Sequence, residues 1–139
     1  MAGIIPFPKT AITDKITRET VHLAEENGHY LGTDERTQDP RTGRMRIIKG
    51  KLTTNQLRRF FGEVKRQEMQ GYNETQFILL KPKLAYAVGR DKGASKIDEF
   101  YQLMSPLIDA VTDQKSFENF IQLFEAVVAY HKATEETGM

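Results

Sequence analysis

The sequence predicts an all-α protein: a small four- to five-helix bundle with a partly irregular N-terminal arm. Three observations lead there. From Leu52 onward, apolar residues recur at the helical spacing i, i+3, i+4, i+7. Two late segments share one apolar pattern, twenty residues apart. The one run that could be a strand, Phe77-Ile78-Leu79-Leu80, has flanks without alternation and no visible strand partner. The 139 residues, 39% hydrophobic, suffice for one domain with a modest core.

The first fifty residues read as an extension or arm, and residues 51–139 as the helical domain. Residues 13–26 suggest one short helix, capped by Thr13 or Asp14, with Ile16, Val21, Leu23 and Ala24 as its apolar residues. Residues 27–50 contain Gly28, Gly32, Pro40, Gly43 and Gly50 among many Thr and Asp, and predict a loop or flexible arm. At Leu52 the pattern sharpens. Thr53 or Thr54 can cap a helix. Leu57, Phe60, Phe61 and Val64 then form its apolar stripe, and Gly71 ends it.

The run Phe77-Ile78-Leu79-Leu80 reads as helix in preference to strand, because its flanks do not alternate. Pro82 lacks an N–H, so it kinks this helix or starts a new one. Leu84, Ala85 and Val88 supply the next apolar face. Ile97, Phe100, Tyr101, Met104, Leu107, Ile108 and Val111 share their offsets with Phe117, Phe120, Ile121, Phe124, Val127, Val128 and His131. With a turn at residues 112–115 and Ser116 as cap, they predict an antiparallel helix pair. Pro106 should bend the first of the two.

Charge is unevenly spread. Residues 1–35 are net −3, residues 36–92 net +9 and residues 93–139 net −5. A basic middle between acidic ends suggests a polyanion surface; ordinary solvated charge is the competing explanation. On a helical wheel of 100° per residue, Asn55, Arg58, Arg59, Gly62, Lys65 and Arg66 oppose the stripe of the helix from Leu52. Gly62 costs about 1 kcal/mol relative to Ala in mid-helix, and its missing side chain admits close approach of a phosphate backbone. After Pro82, Lys83, Tyr86, Ala87 and Arg90 fall on one side. Cations with an exposable aromatic ring suit sugar–phosphate and stacked bases; Tyr86 as a core residue with a surface hydroxyl is the alternative. Lys81 extends this track. Arg41, Arg44, Arg46, Lys49 and Lys51 precede it on the arm, where basic residues either order on a polyanion or stay solvated.

Other chemistries lack a pattern. The chain has no cysteine, which excludes disulfides and thiolate sites. His22, His29 and His131 have no ligand spacing, and His131 lies on an apolar stripe as a packed structural histidine. No Ser/His/Asp signature and no P-loop spacing occurs. Asp98, Glu99, Glu118 and Glu125 read as solvated helix sides. No cofactor, no metal and no catalysis are expected. No apolar run reaches the roughly 20 residues of a membrane span, and residues 1–8 lack a secretory pattern. A cytoplasmic setting is the expectation.

Three stretches carry a resemblance: Lys51-Leu-Thr-Thr-Asn-Gln-Leu-Arg-Arg-Phe-Phe61, Leu79-Leu-Lys-Pro-Lys-Leu-Ala-Tyr-Ala-Val-Gly-Arg90, and residues 117–132, ending Glu-Ala-Val-Val-Ala-Tyr-His-Lys. Together they resemble the small helical subunit of type III-A (Csm-type) CRISPR–Cas effector complexes. The Lys-Pro-Lys-Leu-Ala-Tyr string is their most specific part, and residues 1–50 carry none of the likeness. The resemblance implies a bundle that stacks in copies along larger subunits and lines the guide–target RNA path. It implies contact with RNA backbone without sequence reading, with nuclease and cyclase activities on other subunits. The expected RNA-binding residues are Lys51, Arg58, Arg59, Lys65, Arg66, Lys81, Lys83, Tyr86 and Arg90. The expected partners are guide RNA, target RNA, other effector subunits and further copies of the chain, with Glu118 and Glu125 as stacking candidates. The competing functions are a helix-turn-helix-like DNA regulator and a structural adaptor with a basic face.

Overall fold

Free N–H groups at a helix start need acceptors, and this chain supplies them from side chains at most of its longer helices. The computed structural model describes residues 3–137. Its elements are α1 (Thr10–Thr13), α2 (Arg18–Leu31), β1 (Glu35–Gln38), β2 (Met45–Lys49), α3 (Thr54–Gln70), α4 (Glu74–Ile78), α5 (Leu80–Asp91), α6 (Ile97–Ala110) and α7 (Gln114–Thr137). The fold is predominantly helical, as the sequence predicts, with one two-stranded sheet. Thr17 caps α2 in a reciprocal box with Thr20. Thr53 caps α3: its hydroxyl accepts from Gln56 N (3.2 Å), and the Gln56 side chain accepts from Thr53 N (2.9 Å). Asn73 caps α4.

Two caps differ from the sequence reading. α2 is capped by Thr17, not by Thr13 or Asp14. At α7, Asp113 takes the position expected of Ser116. Its carboxylate accepts from Ser116 N (2.8 Å), while the Ser116 hydroxyl accepts from Asp113 N (3.1 Å). An ionised cap at a helix start also gains from the helix dipole, and its pKa is lowered, chiefly by the Ser116 side chain.

The N-terminal fifty residues hold more structure than their composition suggests. α2 continues through Asn27 and Gly28 to Leu31, and residues 35–49 fold into an antiparallel hairpin. Asn27 is buried and bonds both the N–H and the carbonyl of Ile5 (2.8 Å each). Ala11, Ile12, Ala24 and Leu31 lie in the same core as the later helices.

α7 runs closest to α2, and α6 to α5; α6 and α7, joined by residues 111–113, also touch, but less closely. Glycine explains the first contact. A Cβ on Gly28 would sit 2.6 Å from Tyr130 Cβ and 2.9 Å from His131 N, so the backbones approach too closely for any side chain. α6 and α7 meet through the rings of Phe100 and Phe124, centroids 6.4 Å apart. Phe60 of α3 joins both edge-on, at 5.5 and 5.3 Å.

Two polar ties hold the chain on either side of the hairpin. Buried His131 donates from Nε2 to the Leu52 carbonyl (2.6 Å), the structural role expected of it. Buried Lys96 donates to the Tyr30 and Thr33 carbonyls (2.8 and 2.6 Å) at the end of α2 and lies 3.7 Å from the Tyr30 ring centroid. Burial lowers its pKa, against the opposing pull of Glu35 and Glu99. Beside Lys96, Ser95 forms a parallel bridge with Gly50 that pins the entry of α3 to that of α6.

Glycine position decides the first test. Gly28→Ala overpacks the α2–α7 contact and should destabilise the fold by about 1–3 kcal/mol. Gly62→Ala, with nothing within 4 Å of its Cβ, should stabilise it by about 0.5–1 kcal/mol. Urea unfolding of the two variants measures both; a neutral Gly28→Ala would contradict the close approach.

Candidate nucleic-acid interface

The rotation of α3 about its axis decides where its cations point. Leu57, Phe60, Val64 and Gln67 face inward. Arg59, Glu63 and Arg66 therefore turn toward α5, and Arg58 and Lys65 toward the opposite flank. On α5, Leu80 and Leu84 are buried. Ala85, expected on the apolar face, is exposed, and half-buried Ala87 turns inward beside Val88.

Between α3 and α5 runs a groove of about 560 Å³. Arg59, Lys83, Tyr86 and Arg90 line it, so four of the nine expected site residues come together. Phe60, Leu80 and Leu84 form its apolar side. Tyr86 is 68% exposed, which settles its position against the core alternative. The Arg90 guanidinium lies 5.8 Å from the centre of its ring, within cation–π range.

Glu63 organises the cations above the groove. Its Oε1 accepts from Arg66 Nη2 (2.6 Å) and from Lys83 Nζ (3.1 Å). The Arg66 hydrogen bond, against a smaller opposing effect of burial and with help from Lys83 and Gln67, brings its pKa down from 4.5 to about 2. Arg58 and Arg59 are both exposed and have no ion-pair partner among the described residues. Three expected site residues lie elsewhere. Lys65 is held by Glu125 of α7 and Glu68 (2.6 and 2.7 Å), which raise its pKa. Lys81 reaches Asp109 of α6 (2.8 Å). Lys51 pairs with Glu135 (3.6 Å), whose other oxygen bonds Thr54.

The apolar pattern of the sequence does not announce the hairpin. Its arginines Arg36, Arg41, Arg44 and Arg46 are exposed, beside exposed Met45, Ile47 and Ile48. Lys49 at its base is bound to Asp98 and Glu99 (3.0 and 3.1 Å). The two acids that read from the sequence as solvated helix sides thus tie the hairpin to α6. Of the two stacking candidates, Glu118 is exposed and Glu125 is engaged by Lys65. Among the described residues no His, Asp or Glu group is arranged to hold a metal ion, and no helix is long and apolar enough to cross a membrane.

A family model described as Csm2 Type III-A matches residues 37–137, more than half of the chain. No curated protein and no solved structure matches it.

Glu63 supplies a pH test. Its folded pKa is depressed, so the stability it contributes is present above about pH 4.5 and is lost as pH falls toward 2. Glu63→Gln should be less stable than the parent at pH 7, and the gap should shrink at pH 3. Urea midpoints at the two pH values measure this. A gap independent of pH would mean that ionic contacts do not hold Glu63.

Proposed function

The chain belongs to the Csm2 Type III-A family, the small subunit of type III-A CRISPR effector complexes, and from that premise we propose that it binds guide and target RNA by their backbone. In this reading it reads no sequence and performs no catalysis. The observation that carries it is the α3–α5 groove, where Arg59, Lys83 and Arg90 surround an exposed Tyr86. Arg58 adds a second cation without an ion-pair partner among the described residues, on the flank of α3 away from α5. Free guanidiniums suit phosphate oxygens because they donate in a planar fork.

The ion pairs rank the expected contacts. Arg58, Arg59 and Arg90 are available without breaking an internal carboxylate pair. Lys83 and Arg66 must exchange Glu63 for phosphate. Lys51, Lys65 and Lys81 each must leave a carboxylate on α7 or α6. The other subunits of the complex, and further copies of this chain, are the protein partners in this reading, and the cytoplasm is where it works.

The double variant Arg58→Ala/Arg59→Ala tests the proposal. Its affinity should fall by a similar factor for unrelated RNA sequences of equal length. On single-stranded RNA the slope of log K against log salt should become shallower by about 0.7 for each phosphate that is no longer neutralised. Fluorescence anisotropy across a salt series reads both. Unchanged affinity and slope would overturn the assignment, and tighter binding to duplex DNA than to RNA would favour a DNA regulator.

A further inference from the structure

The groove between α3 and α5 has two chemistries, and backbone contact accounts for only one. Its rim carries Arg59, Lys83 and Arg90. Its wall is apolar, built from Phe60, Leu80 and Leu84, which offers a phosphate nothing. Two carboxylates also border it, Glu63 and Asp91. Both are already engaged: Glu63 by Arg66 and Lys83, Asp91 by Ser95 N (2.8 Å) and by the Gln56 side chain (3.1 Å). They repel a second anion from the interior of the groove and leave the rim as the place for phosphate.

An occupant that fits is flat and uncharged inside and anionic outside. We propose that the groove receives a single unpaired base of the RNA, with its phosphate held at the rim by Arg59 and Arg90. This deepens the RNA-binding reading and rests on it. Tyr86 and the Arg90 guanidinium beside its ring form the shelf on which the base stacks. Every base has a π face, so such a shelf tolerates any sequence. The volume of about 560 Å³ lies within the usual range of small-ligand pockets. Asn55, exposed in the groove lining, offers an amide to the edge of the base.

The test uses the full chain and two RNA probes of equal length, an oligoadenylate and the same backbone with abasic riboses. Both carry the same phosphates. The parent should bind the oligoadenylate tighter than the abasic strand by about 5-fold or more. Tyr86→Ala should lose this discrimination, whereas Tyr86→Phe, which keeps the ring, should retain it. Because Tyr86 is 68% exposed, both variants should keep the parent's thermal midpoint. Adenosine monophosphate should compete poorly, since it lacks the neighbouring phosphates.

Equal binding of intact and abasic RNA by the parent would overturn the base site and leave the groove to an acidic protein segment. The backbone reading would then still stand if Arg58→Ala/Arg59→Ala weakened both probes. No binding of either RNA at low salt would overturn both. Competition by adenosine monophosphate as strong as by the oligonucleotide would replace RNA with a free nucleotide as ligand.

Discussion

The setting of one ring governs the candidate surface. Phe60 is clasped edge-on by Phe100 of α6 and Phe124 of α7, at 5.5 and 5.3 Å. A helix held by a ring at that position cannot rotate without opening a packed aromatic cluster, and core packing at near-crystalline density resists such gaps. The consequence reaches the surface at once. Arg59, the adjacent residue, is aimed at α5, and Arg58, two positions before Phe60, is aimed away from it. The same Phe60 forms part of the groove wall, so core and site share a side chain.

Electrostatics then divide the cations into two populations. The basic segment of the sequence is net +9, but much of that charge is neutralised inside the molecule. Lys49, Lys51, Lys65 and Lys81 each reach a carboxylate on α6 or α7. These pairs join the basic middle of the chain to its acidic end. Exposed pairs of this kind contribute little stability individually. Their larger effect is to decide which cations remain available, among them Arg58 and Arg59 on α3, Arg90 on α5 and Arg41, Arg44 and Arg46 on the hairpin.

Much of this was legible in the sequence, and the rest was hidden for physical reasons. The period of Leu57, Phe60 and Val64 predicts α3, its cap Thr53 is one of the two threonines the sequence offers, and the stripes of α6 and α7 follow their offsets closely. α2 extends past its expected end because its buried side includes Thr20, Asn27 and Gly28, which no apolar pattern reveals. Gly28 reads as a loop signal, yet here it permits close helix contact. The hairpin is hidden because β1 is wholly polar, Glu35-Arg36-Thr37-Gln38, and β2 leaves Met45, Ile47 and Ile48 exposed, so neither strand carries a core-facing pattern. For the site, a helical wheel counts Lys65 and Arg59 alike; only the fold brings Glu125 to one and leaves the other free. Lys96, whose ammonium closes the end of α2, gives no signal in the sequence at all.

These features describe a small subunit whose core sets a basic groove and whose ion pairs keep that groove selective among its own charges. The most direct test is an amide chemical-shift titration of the labelled chain with unstructured RNA. The account predicts the largest shifts in the first half of α3 and along α5, around Arg59 and Tyr86, with little change along α2. Shifts confined to the hairpin arginines Arg41, Arg44 and Arg46 would contradict it and move the interface away from the groove.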